Sequence, residues 1–214
     1  MRKMFEMMRN FFCLTPAIAA AILSHEYARF ITARRFEATK PEWGGPGFIR
    51  RIDPVGLLMF YFFKFGWSRP FPVNYWKLRK AKYFKAILTA LSGSIANFSL
   101  GVITGLIFYL SGLHRFSTFM PETVSSFPAS YLADVVYWTM VINLNTALFN
   151  LIPIPPLDGA NIVTMLVPES QVNWLVKYEL YGILTLLVLS LMGIIQLIMW
   201  PITQFIQLLA RLIA

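Results

Sequence analysis

From Ala86 to Leu110 no residue is charged, and three further predominantly apolar runs, at 11–31, 131–152 and 180–200, punctuate the same 214-residue chain. In hydrocarbon every backbone N–H and C=O must find its partner within the segment, so runs of this length have one open-ended solution, the helix. Composition agrees: 57% of residues are hydrophobic, 14% are charged, and the mean hydropathy is +0.59. These values exclude an ordinary soluble domain. The expected architecture is an all-α integral membrane protein of about four transmembrane helices, forming a single membrane domain over residues 1–214.

A shorter apolar run, 55–66, is interrupted by Lys64 and falls well below the roughly 20 residues that a span requires. It is expected to be re-entrant or interfacial. The first run lacks a small-residue cleavage site and reads as a retained helix. The last, 180–200, is expected to be a full span broken by Pro201, with an interfacial tail at 201–214. The loop at 33–54 is polar and holds Pro41, Gly44, Gly45, Pro46 and Gly47, with short strand-like pieces at best. No internal repeat or low-complexity tract is present.

Charge sets the topology. The 67–85 loop carries Arg69, Lys77, Arg79, Lys80, Lys82 and Lys85 without an acid, so it and the 33–54 loop are expected to be cytoplasmic or to face an equivalent organelle compartment. The nearly uncharged 113–130 loop belongs on the other side. That arrangement leaves Arg2, Lys3 and Arg9 on the less basic side, a mild conflict that the loop charges outweigh. A net charge of +9 fits this asymmetry and anionic lipid headgroups; without a reading module it gives no nucleic-acid partner. Cys13 is the single cysteine, so no intrachain disulfide can form. The Gly101-x-x-x-Gly105 pair permits close helix approach, more readily within the chain than at a dimer face.

Two motifs carry chemistry. His25-Glu26-Tyr27-Ala28-Arg29 departs at its last position from His-Glu-x-x-His, in which two imidazoles one helical turn apart hold zinc beside a glutamate base. Arg29 is permanently cationic and offers no lone pair. The run at 131–152, with Asp134, Asn143, Asn145 and Asn150, ends in Pro153, Pro155 and Pro156 just before Asp158. Unwound backbone at membrane depth must be buried in protein or line a wet cavity, which marks Asn150, Pro153 and Pro155 as candidates for a substrate or partner groove. If 55–66 does not cross, His25 and Asp158 reach the same depth on the same side.

Four stretches now resemble the site-2 protease family of intramembrane zinc metalloproteases, in its compact bacterial-type branch: Ser24-His25-Glu26-Tyr27-Ala28, Arg51 to Gly56, Phe65 to Asn74, and Asn150-Leu151-Ile152-Pro153-Ile154-Pro155-Pro156-Leu157-Asp158-Gly159. The last matches the family's Asn-x-x-Pro-x-Pro-x-Leu-Asp-Gly at every fixed position, and together they cover about residues 20–160. The resemblance implies that His25 and Asp158 are zinc ligands and Glu26 the base. Arg29 stands at the second ligand. Ser94 stands where the family more often has proline, which bears on local helix geometry.

No other residue completes a metal site. His114 is expected at the far side, and Cys13 lies about 18 Å from His25 along one helix. The expected state is therefore without a cofactor, His25, Glu26 and Asp158 being vestigial. Arg29 is expected to bridge Glu26 and Asp158 as a substitute cation, with snorkelling to the interface as the alternative. The resulting functional reading is an inactive pseudoprotease in a bacterial inner membrane or organelle equivalent, acting as scaffold or subunit for other membrane proteins or their transmembrane helices. The alternative is an active zinc protease with an atypical ligand set; a third, a transporter-like or lipid-handling role, rests only on the polar residues around 150.

Overall fold

The computed structural model describes residues 2–38, 52–69, 73, 75–119, 129–166 and 179–213. The described elements are α1 (Arg2–Arg35), α2 (Pro54–Phe63), α3 (Tyr75–Ala81), α4 (Tyr83–Leu110), a 3-10 turn (Leu113–Phe116), α5 (Ala129–Phe149), α6 (Asp158–Leu166), α7 (Glu179–Leu191) and α8 (Ile194–Ile213). No strand occurs among the described residues, and the expected strand-like pieces of 39–51 lie outside them.

Three helices, Met8–Arg35 of α1, α4 and α5, are long and apolar enough to cross a membrane, and the α7–α8 pair makes a fourth if it is one broken span. This is an integral membrane protein. The three long helices pack on one another, and small residues set how closely. A Cβ added at Gly101 would lie 2.7 Å from Leu144 Cγ, so this glycine of the Gly-x-x-x-Gly pair is spent on the α4–α5 contact within the chain.

Helix α2 begins because Asp53 caps it: Oδ1 accepts from Val55 N at 2.9 Å and Gly56 N at 3.0 Å, and Pro54 occupies the first turn, where its missing N–H costs nothing. It ends after ten residues, too few to span. Phe60 of α2 packs with Ala17, Ile18 and Ala21 of α1 and Ile142 of α5, which holds the segment against the bundle. A second core joins Met59, Phe65, Trp67, Phe149 and Leu157 to Leu186 and Met199 of the C-terminal helices.

The C-terminal region differs from the sequence expectation. Helix α7 stops at Leu191, α8 restarts at Ile194, and the two are bent by 73°. The break belongs to Gly193, whose φ of +76° is a left-handed conformation that glycine adopts freely. Pro201 lies inside α8 and does not end it. Proline is tolerated in membrane helices because neighbouring groups re-satisfy the freed backbone.

A candidate site built on a buried arginine

Helix α1 presents His25, Glu26 and Arg29 to the interior, at 5%, 1% and 3% exposure. His25 and Arg29 are one turn apart and so share a face. Opposite them comes Asp158, 1% exposed, at the start of α6. Its delivery depends on the loop from Asn150: the Gly159 N–H donates to Asn150 O at 2.8 Å, pinching the segment shut. Gly159 is required there by close approach, because a Cβ would run into the carbonyls of Leu151 and Ile152. Leu157 is buried beside it and anchors the turn in the core. A carboxylate at a helix N-terminus is also favoured by the helix dipole.

Arg29 sits among these groups. Its Nη2 is in direct contact with Asp158 Oδ1 and lies 2.7 Å from His25 Nε2, while Nη1 lies 3.5 Å from Glu26 Oε1. The second oxygen of Asp158 lies 3.1 Å from His25 Nε2 and accepts from Ser94 Oγ at 3.1 Å. Glu26 Oε1 accepts from Ser68 Oγ at 2.8 Å. On the far side of the imidazole, Asn97 Nδ2 is 3.4 Å from Nδ1, and Ser24 Oγ donates to Asn97 Oδ1 at 2.7 Å. Behind His25 the ring lies against Gly93, where an added Cβ would be 2.5 Å from Nε2.

The sequence candidates are distributed unevenly. His25, Glu26, Arg29, Asn150 and Asp158 all line one void of about 10 Å³, room for about one water. Pro156 lines it too. Pro153 is exposed, and the Pro155 carbonyl backs onto Gly182 of α7. Asn150 spends its side chain on Thr146 O at 2.9 Å. His114 lies on the 3-10 turn against Phe108 and Tyr109, far along α4 from Gly93, and Cys13 is buried twelve residues before His25, about 18 Å along α1. Ser68, Ser94 and Asn97 were not anticipated as partners. Ser94 had a signal, as a departure from the proline usual in the resembling family; α4 runs unbroken through it, and its hydroxyl is used by Asp158. Outside the spans, burial pushes the Tyr75 phenol's pKa up, leaving a neutral wall beside the charged cluster.

The α1 motif and the proline-rich loop that delivers Asp158 both lie within the stretch of sequence that matches a known family. Residues 14–194 match Peptidase family M50, and the chain therefore belongs to the site-2 protease family. It is similar to "Putative zinc metalloprotease YwhC" of Bacillus subtilis, with 31% identity over 153 residues, 72% of this chain and 67% of that protein. No solved structure matches the chain. Among the described residues no group of three or more His, Cys, Asp or Glu side chains is arranged to hold a metal ion.

Proposed function

We propose that this chain is a pseudoprotease of the site-2 family, in which an arginine takes the place of zinc and the fold serves to bind other membrane proteins through their transmembrane helices, as scaffold or subunit. The observation that carries the reading is the seat of the Arg29 guanidinium, within reach of His25, Glu26 and Asp158 together. Catalytic zinc takes three protein ligands and a water. The donor set at this site does not fit it: His25 and Asp158 offer lone pairs, but the residue at the second ligand position is a cation that lies against both of them. Two buried carboxylates need a positive partner to coexist, and Arg29 supplies one without supplying Lewis acidity. In this reading the basic 67–85 loop and the site lie toward the cytoplasm, or the matching side of an organelle membrane.

Zinc analysis of the purified full chain in detergent tests it. The native chain should carry well below one equivalent of zinc, and Arg29→His should gain zinc that is lost again in Arg29→His with His25→Ala. Stoichiometric zinc in the native chain, released by His25→Ala, overturns the reading in favour of an active protease with an atypical ligand set.

A further inference from the structure

A second polar feature sits away from the arginine cluster. Lys64 follows α2 in the left-handed region, with φ of +64°, a conformation that glycine or asparagine adopts more readily than lysine. Its backbone carbonyl accepts from Asn145 Nδ2 at 3.3 Å. Its side chain then runs toward Trp138, with Nζ 5.2 Å from that ring and 2.5 Å from Tyr61 O. Trp138 lies nine residues into α5, about 13 Å from its start and close to its middle; Asn145 is about 10 Å nearer the Asp158 end. Tyr61, three residues earlier, bonds Thr15 Oγ1 at 2.9 Å and stacks on Phe11, both within α1.

The ammonium is thus carried toward the middle of a membrane helix. Lysines at membrane depth ordinarily extend outward to water. Among the described residues no carboxylate lies within ion-pair distance of it, and a cation in such a position is a functional site by default, since a charge at the helix centre is costly unless it has a use there.

Lys64 also lines a cavity of about 220 Å³ between the end of α2, α5 and α8, together with Tyr137, Asn145, Gln196, Trp200 and Thr203. Asn145 and Thr203 are committed to each other through a 2.8 Å bond. Gln196 donates to Ser190 O at 3.0 Å, but its Oε1 is buried and has no partner among the described residues. The wall therefore presents a cation with no carboxylate, and an acceptor with no donor, among the described residues. A carboxylate supplies the missing counter-charge to Lys64, which neither an amide nor an alkyl group carries. The volume is smaller than the roughly 300 Å³ at which small-molecule pockets begin, and suits a side chain. Trp200, which lines it, is 65% exposed, the surface that a membrane-embedded segment would meet.

We propose that this cavity receives an acidic side chain, Glu or Asp, projecting from the transmembrane helix of a partner protein. The proposal rests on the reading above only in that transmembrane helices dock on this chain; it does not depend on the state of the arginine cluster.

The test uses the full chain in phosphatidylcholine vesicles with a fluorescently labelled synthetic Leu/Ala transmembrane peptide bearing Glu, Gln or Leu at its centre, association being read by energy transfer. The Glu peptide should bind native protein about tenfold more tightly than the Gln peptide, the scale of a strong interhelical polar contact, and the Leu peptide more weakly still. Lys64→Glu should lose the Glu peptide and gain a Lys peptide. Equal binding of the three peptides to native protein overturns the proposal without any variant having to fold. Release of the Glu peptide by oleate at low molar ratio also overturns it, assigning the cavity to a lipid carboxylate. Zinc content is unaffected by either result, so failure here is distinct from failure of the pseudoprotease reading.

Discussion

Ser94 Oγ donates to the Asp158 oxygen that Arg29 leaves free, a 3.1 Å contact between residues 64 positions apart. Asp158 is thus held on one oxygen by a cation and on the other by a hydroxyl, and the cluster acts as one unit. Removing different members should have unequal effects.

Arg29→Ala leaves Glu26 and Asp158 buried together without a counter-charge. Loss of one partner of a buried ion pair typically costs about 3–5 kcal/mol, so thermal unfolding in detergent should show a large drop in midpoint. Adding Glu26→Gln and Asp158→Asn to Arg29→Met should recover part of it. If Arg29→Ala unfolds like the native chain, the guanidinium is not holding the carboxylates.

Ser94→Ala should be mild by comparison, about 0.5–1.5 kcal/mol, because Asp158 Oδ2 keeps its contact with His25. Ser94→Pro is the sharper variant. It restores the residue usual in the family but removes the hydroxyl and a helix N–H together, so it should cost more than Ser94→Ala in the same unfolding measurement.

Gly93→Ala should be costly for a reason unrelated to charge. The new methyl would meet the His25 ring at 2.5 Å, and overpacking of this kind costs about 1–3 kcal/mol. Pairing it with His25→Ala should relieve the penalty; a double-mutant cycle that finds the two additive would place the ring elsewhere.

At the other end of α1 a separate knot predicts a local effect. Asp134 accepts from Arg9 Nη2 at 2.7 Å, from Ser117 Oγ, and from both N and Oγ1 of Thr118. Asp134→Asn should speed hydrogen exchange at Thr118, with little change at the amides of α6. Uniform acceleration across the chain would show a global loss of stability instead.

The C-terminal bend gives a contrast between two positions. Gly193→Ala forces a Cβ into φ of +76° and should destabilise by about 1–2 kcal/mol, while Pro201→Ala should be neutral or stabilising. Thermal unfolding of both variants decides which residue makes the break.

The sequence was most legible where residue type alone limits chemistry. The apolar runs have one backbone solution, Arg29 has no lone pair, and the short 55–66 segment cannot span. Asn150 and Asp158 were legible from a spacing whose physical meaning, a pinched loop with glycine at the crowded point, emerges only in three dimensions. Ser94 left no periodic or charge signal, since a serine in a membrane helix most often bonds its own backbone, as Ser92 does to Thr89 O, and Ser68 lies in an irregular stretch where no periodicity applies. Pro201 was misleading because proline's missing donor is visible in a sequence, whereas the left-handed turn at Gly193 looks like any glycine in a membrane helix. Lys64 is visible in the sequence only as an interruption of an apolar run; its direction toward Trp138 depends on a backbone angle that residue identity does not specify.

The Asn150–Gly159 clasp has a consequence for what the Asp158 position tolerates. Because the aspartate is set in place by its own loop, with a backbone bond behind it and Leu157 rooted in the core, its location does not depend on what it faces. The loop acts as a socket whose contents are exchangeable: a carboxylate delivered this way can meet a metal or a guanidinium without the chain being laid differently. A change of function at this site can therefore turn on one residue of α1 while the rest of the fold remains indifferent.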